Sequence, residues 1–164
     1  MNGFQRKTDN ETSKKWPKRR KPASGVFISS KHPTIVFLTI CTKNRFPWLA
    51  NPEAHELLVN VWKESKAWLV GYYVLMPDHV HLFCAPNDMV TSLDNWVLYW
   101  KRLFSRKCPH SDWKWQSQKW DTRLRRTESY QEKWEYVRHN PVRKELVSDP
   151  DEWLYQGMLN ELRW

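Results

Sequence analysis

Two histidines separated by one residue, His79 and His81, and a tyrosine and an asparagine four apart, Tyr136 and Asn140, are the side chains of this sequence best able to do chemistry together. The histidines lie in Tyr72-Tyr73-Val74-Leu75-Met76-Pro77-Asp78-His79-Val80-His81-Leu82-Phe83-Cys84. Two runs rich in β-branched and aromatic residues flank Met76-Pro77-Asp78, a break with turn chemistry, so the stretch predicts a β-hairpin with His-x-His on its second arm. Side chains alternate along a strand: His79, His81 and Phe83 share one face, and Val80, Leu82 and Cys84 share the other. Two imidazoles spaced about 7 Å along one pleated face can converge on a single metal ion. A solitary His-x-His is also frequent by chance, so the reading needs a second constellation.

That constellation is Ser129-Tyr130-Gln131-Glu132-Lys133-Trp134-Glu135-Tyr136-Val137-Arg138-His139-Asn140-Pro141-Val142-Arg143. Ser129 with Glu132 three residues on is a capping-box start and Pro141 a stop, which predicts a helix of about three turns. Tyr130, Trp134 and Val137 form its apolar stripe. Tyr136 and Asn140 are i, i+4 neighbours about 100° around the helix from that stripe and can project together into a cleft. A phenol and a carboxamide beside a two-histidine site are a credible nucleophile and third metal ligand. The ordinary alternatives are a half-buried tyrosine and an asparagine ending a helix before proline.

Taken together with Phe37-Leu38-Thr39-Ile40-Cys41-Thr42, these blocks appear in the order found in a known family, and the chain resembles the single-tyrosine HUH transposases, specifically the REP-associated tyrosine transposases. The resemblance covers roughly residues 33 to 147. It implies that His79, His81 and Asn140 bind a divalent ion and that Tyr136 attacks a phosphodiester of single-stranded DNA, leaving a 5′-phosphotyrosine and a free 3′-hydroxyl. A second 3′-hydroxyl can reverse that step and join strands without ATP, and no glycine-rich phosphate loop occurs among the four glycines. Imidazole ligands by themselves favour Zn²⁺ or Ni²⁺; the resemblance implies Mg²⁺ or Mn²⁺ acting with DNA oxygens, and that is the expectation carried forward. The pattern departs from the family at Lys144-Glu145, where small residues are expected, and at Thr122, in a segment where many relatives carry a histidine.

The rest of the chain must position these groups. At 164 residues it accommodates one domain with a sizeable core plus a tail. It contains no long apolar run, and its first residues have no apolar stretch, so the expectation is a soluble, cytoplasmic protein with no membrane partner, associated with the nucleoid when bound to DNA. Cys41, Cys84 and Cys108 are odd in number and lack Cys-x-x-Cys spacing, which argues for reduced, packed thiols. The net charge of +9 is concentrated in two blocks: residues 1–31 hold nine Lys/Arg against two acids, and residues 101–126 again hold nine against two. The first block has little to bury and is expected to be a disordered basic arm able to hold phosphate backbone. In the second, Trp113, Trp115 and Trp120 alternate with cations, a composition that fits a single-stranded nucleic-acid groove; the expected DNA contacts are Lys101, Arg102, Arg106, Lys114, Lys119, Arg123, Arg125 and Arg126, with Arg138 on the tyrosine helix.

Thr34 to Thr42 is dense in β-formers and predicts a central strand. Asn51 before Pro52 caps a helix whose stripe is Ala54, Leu57, Leu58, Val61, Ser65 and Trp68. Thr91 and Asp94 open a second helix with Leu93, Trp96, Val97, Trp100, Leu103 and Phe104 on its core side. Trp120 to Leu124 supplies a last strand, and Trp153, Leu154, Met158 and Leu162 predict a short amphipathic helix docking back on the body. The fold expected is α+β: a ferredoxin-like or RRM-like antiparallel sheet with helices on one side, the histidines on a central strand and the tyrosine on a helix of the C-terminal half. Residues 1–31 form the arm, 32–147 the transposase domain and 148–164 the tail. The function expected is that of a metal-dependent tyrosine endonuclease and strand transferase acting on single-stranded, hairpin-containing DNA. Its rivals are a non-catalytic, domesticated DNA-binding protein of the same fold and an RNA-binding RRM-like module. The sequence leaves open whether the protein is a monomer or a homodimer.

Overall fold

The computed structural model describes residues 34–124 and 130–163. The basic arm over 1–31, Arg125, Arg126 and the Ser129 helix cap lie outside the described residues. In chain order the elements are β1 (Val36–Cys41), α1 (Pro52–Glu64), β2 (Trp68–Met76), β3 (His79–Pro86), α2 (Leu93–Lys107), β4 (Trp120–Arg123), α3 (Tyr130–Arg138), α4 (Asn140–Arg143) and β5 (Gln156–Met158). The strands form one sheet in the order β4-β1-β3-β2-β5, antiparallel at every pairing. This is the ferredoxin-like β-α-β-β-α-β arrangement with one added edge strand.

Both helices expected over the first face are there. Asn51 caps α1 by accepting from the Ala54 N–H at 2.9 Å, with Pro52 in the first position. Ser92 rather than Thr91 caps α2, because the Thr91 N–H is already bound to the Asp88 carboxylate at 2.7 Å. All six apolar positions expected for α2 are buried, and they pack with Val36, Leu38, Ile40, Val80, Leu82 and Cys84 of the sheet in the larger core. Trp68 belongs to β2, not to the end of α1, and stacks on Trp96.

The tyrosine helix packs on the opposite face, so the expectation of helices on one side holds for α1 and α2 only. Alternation explains this: the β3 residues that do not face α1 and α2 include Phe83, and Tyr72, Val74 and Met76 of β2 turn the same way. That surface needs a cover, and Tyr130, Trp134 and Val137 provide it; Trp134 stacks on Tyr72 at 4.5 Å between ring centroids with 6° between planes. A register shift in β2 between Val70 and Tyr73 makes the arrangement work, since Val70 and Tyr73 both face the first core while Tyr72 between them faces α3. Gly71 lies in this bulge for lack of room: a Cβ there would stand 2.5 Å from the Tyr130 hydroxyl and 2.7 Å from Leu162 Cδ1.

The tail does dock on the body, but not as an amphipathic helix. Residues Pro150–Glu152 form a 3-10 turn and Gln156–Met158 pair with β2. Pro150 and Gly157 suit a turn and an edge strand better than a helix. Leu162 is buried, Leu154 largely exposed, and the Trp153 indole donates to the Leu75 carbonyl at 2.8 Å. Among the described residues no helix is long and apolar enough to cross a membrane, and the three cysteines are free.

Candidate active site

The hairpin turn Pro77-Asp78 places His79 at the first position of β3, and pleating puts His81 on the same face. Their rings meet edge to face, with the two Nε2 atoms 3.1 Å apart. Each ring is anchored at its other nitrogen: His79 Nδ1 lies 2.6 Å from Asp78 Oδ1 and His81 Nδ1 lies 2.7 Å from Thr39 Oγ1. Thr39 is the direct cross-strand neighbour of His81, so β1 supplies that support by register. An ionised carboxylate only accepts, which fixes the proton of a neutral His79 on Nδ1 and leaves Nε2 as a lone pair. Thr39 can donate or accept. When it accepts from His81 Nδ1–H, both Nε2 lone pairs face each other and a cation is needed between them; when it donates, His81 Nε2–H bonds to His79 and the pair closes on itself.

The donor set therefore fits a divalent ion. Two nitrogens at 3.1 Å match neighbouring ligands of one ion, for which bonds of about 2.1 Å set an edge of about 3.4 Å in a tetrahedral shell and about 3.0 Å in an octahedral one. Burial disfavours the charged form of both imidazoles. Burial lowers the pKa of His79 against the opposing pull of Asp78, and burial together with the charges of His79, Arg45 and Arg143 pushes His81 down to about 3. No group of three His, Cys, Asp or Glu gathers among the described residues.

Tyr136 and Asn140 sit on α3 and α4. The expected single helix is broken at His139, whose φ/ψ of −80°, 1° separate Arg138 from Asn140, as the residue ahead of a coming proline turn permits. Tyr136 is 62% exposed. No hydrogen bond joins Tyr136 or Asn140 to either imidazole among the described residues. What links them is Arg143: its guanidinium lies over the Tyr136 ring at 4.2 Å, donates to the Tyr136 carbonyl at 2.8 Å and donates to Asn140 Oδ1. Among the charges that lower the histidine pKa values, after burial, are Arg143 at His81 and Lys144 at His79. The Lys144-Glu145 departure has a visible consequence, because Glu145 ends α4 with φ of 56°, a left-handed conformation that glycine adopts more easily.

Sequence reasoning overlooked Arg45, Arg143, Lys144, Asp78 and Thr39. Arg45 Nε pairs with Asp78 Oδ2 at 2.7 Å and its Nη1 donates to Cys41 Sγ at 2.7 Å. It is aimed there by a turn in which Asn44 and Arg45 have φ of 55° and 59°. The only prior signal was a cation in the loop following a central strand.

The expected DNA contacts separate into three groups. Arg102, Arg106, Lys114 and Arg123 are exposed, and Arg102 and Lys114 line an open groove of about 700 Å³ between α2 and residues 108–117, with Trp113 and His110. Lys101 is largely buried: it is 8% exposed, donates to the Gln116 carbonyl at 2.7 Å, and burial lowers its pKa to about 8. Lys119 and Arg138 are committed to acids, Lys119 to Asp94 and Asp121 at 2.9 and 2.6 Å, and Arg138 to Asp151 and Glu135. Among the tryptophans, Trp113 stacks on Trp48 and Trp115 packs on Trp100 and Phe104, whereas Trp120 is open.

No protein-family model matches the chain, and no curated protein matches it in sequence. In fold it is similar to a REP-associated tyrosine transposase solved bound to a REP hairpin, with a TM-score of 0.65, 21% identity and 75% of each chain covered. A Deinococcus radiodurans R1 protein provisionally described as a transposase also matches, at a TM-score of 0.48 and 16% identity over 77% of this chain and 98% of that one.

Proposed function

We propose that this protein is a single-stranded DNA endonuclease and strand transferase acting on hairpin-containing, REP-like DNA, with Tyr136 as nucleophile. The observation that carries the proposal is the convergence of two separately anchored imidazoles on one point, on the sheet face that the tyrosine helix covers. The fold it shares with a transposase bound to a REP hairpin supports the same reading.

His79 and His81 would hold a divalent ion, Mg²⁺ or Mn²⁺, with Asn140 as third ligand once its oxygen is released from Arg143. Such an ion polarises the scissile phosphate and offsets charge that builds on it in the transition state. A tyrosine hydroxyl is a weak nucleophile at neutral pH, so the protein's own contribution is placement. Arg143 fixes Tyr136 by stacking on its ring and holding its backbone carbonyl. Arg45, Arg143 and Lys144 supply positive charge around the imidazoles where a phosphodiester would lie. In the reaction the Tyr136 oxygen bonds to phosphorus, the bond from phosphorus to the 3′ oxygen breaks, and the phenolic proton passes to solvent. The departing 3′ oxygen takes up a proton and the 5′ end remains as a phosphotyrosine ester. Attack by another DNA 3′-hydroxyl reverses these bonds and joins strands. Arg102, Arg106, Lys114 and Arg123 would hold backbone phosphates of the hairpin, a contribution that weakens with salt.

The rival of the same fold is a domesticated DNA-binding protein that no longer cuts. Incubation with Mn²⁺ or Mg²⁺ and labelled single-stranded hairpin DNA from around the gene, run on a denaturing gel beside Tyr136→Phe, separates the two. Metal-dependent cleavage by the parent protein alone supports the nuclease; tight binding without cleavage on any such substrate supports the rival.

A further inference from the structure

α3 covers only half of the sheet face that carries the histidines. Its aromatic contacts are to Tyr72 of β2 and Phe83 of β3. On the other half, register places Trp120 opposite Thr39 and Thr122 opposite Phe37, with Thr39 in turn opposite His81. Side chains directly opposite in antiparallel strands share a face, so Trp120, Thr39 and His81 lie in one row across three strands, and Thr122, Phe37 and Phe83 in the next. Phe37 stacks on the His81 ring at 5.3 Å between centroids and 24° between planes. Trp120 is 41% exposed and makes no ring contact among the described residues, unlike Trp113 and Trp115 nearby in sequence.

We infer that this row is a base-stacking shelf: an unpaired base of single-stranded DNA, next to the bond held at the histidines, stacks on Trp120 with Thr122 and Phe37 beside it. Trp120 lies two strand spacings from His81, about 10 Å, which suits a base flanking the reacting phosphate. Three properties favour a nucleobase over a protein partner. The shelf is continuous with the histidine pair, a cation, Arg45, is held beside that pair through Asp78, and the shelf offers one aromatic face rather than a broad apolar patch. Base–aromatic stacking tolerates any base, so the shelf sets the path and register of the strand and leaves sequence discrimination to other contacts. The inference rests on the proposed action on single-stranded DNA and adds the residue that positions the flank.

The test uses hairpin oligonucleotides with a single-stranded flank, each carrying one 2-aminopurine at a successive flank position, and the full-length protein. Unmodified protein is expected to quench one position strongly. Trp120→Ala should abolish that quenching and weaken binding about 5- to 100-fold, and Trp120→Phe should restore most of both. Thr122→Asp, which leaves Trp120 in place and puts a charge on the shelf, should also weaken binding. Thermal melting checks that each variant is folded. Equal quenching and affinity in unmodified protein and Trp120→Ala overturn the shelf while leaving tyrosine cleavage standing. Absence of binding to any single-stranded DNA by the unmodified protein overturns both. Tighter, Trp120-dependent binding of RNA of the same sequence assigns the shelf to RNA and overturns the inference.

Discussion

Replacing Asp78 by asparagine should impair the histidine site without unfolding the hairpin. The Asp78 carboxylate does two things at once: Oδ1 receives His79 Nδ1 at 2.6 Å and Oδ2 receives Arg45 Nε at 2.7 Å. Its backbone carbonyl, which accepts from the Thr42 N–H and hydroxyl, is untouched by the change, so the turn is kept. An asparagine is isosteric but can present its NH₂ to Nδ1. That would drive the His79 proton to Nε2 and remove the lone pair that faces His81. Loss of such an orienting partner typically costs 10- to 100-fold in ion affinity, or about 1.4 to 2.7 kcal/mol. Mn²⁺ titration followed by calorimetry should show this loss, with Arg45→Gln as the control that removes the ion pair and the Cys41 contact, leaves the His79 anchor in place and causes a smaller one. Thr39→Val, which removes the hydroxyl anchoring His81, should resemble Asp78→Asn. Unchanged Mn²⁺ affinity in Asp78→Asn and Thr39→Val would refute the view that anchored tautomers create the site.

Arg143→Gln should reduce cleavage about 10- to 100-fold, because Tyr136 loses its stacking partner and its backbone clamp, and Arg143→Lys should not rescue it since an ammonium cannot stack and fork together; single-turnover assays with protein in excess over DNA read this directly. Gly71→Ala should destabilise the protein by about 1 to 3 kcal/mol, since the new Cβ strikes the Tyr130 hydroxyl and Leu162, and chemical denaturation measures it. Lys101 gives a pH signature: its folded pKa of about 8 lies below the 10.5 of the free side chain, so the unfolded chain binds the extra proton and stability contributed by this site rises with pH between about 8 and 10.5. Unfolding free energy of the parent relative to Lys101→Met should rise by about 1 kcal/mol per pH unit across pH 8 to 9.5, and a flat difference would contradict the burial of a charge-bearing amine.

The parts of the site legible from sequence are those carried by period and turn chemistry. Alternation put His79 and His81 on one face, and a nearly ideal helical stripe identified each buried apolar residue of α2. What sequence could not reveal depends on contacts between distant segments. Lys101 looks like any basic surface residue until residues 108–117 fold over it and offer the Gln116 carbonyl. Arg138 looks free until the tail brings Asp151 to it. The tail strand Gln156–Met158 is too short for its own periodicity and exists because the β2 edge offers it hydrogen bonds. The second layer follows from the phase that β2 takes up after its bulge, which sets Tyr72, Val74 and Met76 on one face as the apolar seat for α3. Arg143 passed unnoticed within Asn-Pro-Val-Arg because its role depends on the break at His139, which folds α4 back so that the guanidinium reaches Tyr136.

The central claim is that Tyr136 forms a covalent bond to DNA, and peptide mapping by mass spectrometry tests it most directly. The protein is incubated with Mn²⁺ and a hairpin substrate nicked so that the short upstream fragment, with its 3′-hydroxyl, diffuses away and religation fails, then digested with nuclease and trypsin. The account predicts that the peptide from Trp134 to Arg138, released by cleavage after Lys133 and Arg138, carries a 5′-linked nucleotide on its tyrosine. Cleaved DNA with no such adduct, or with the nucleotide on Tyr130 or Tyr155 instead, would contradict it.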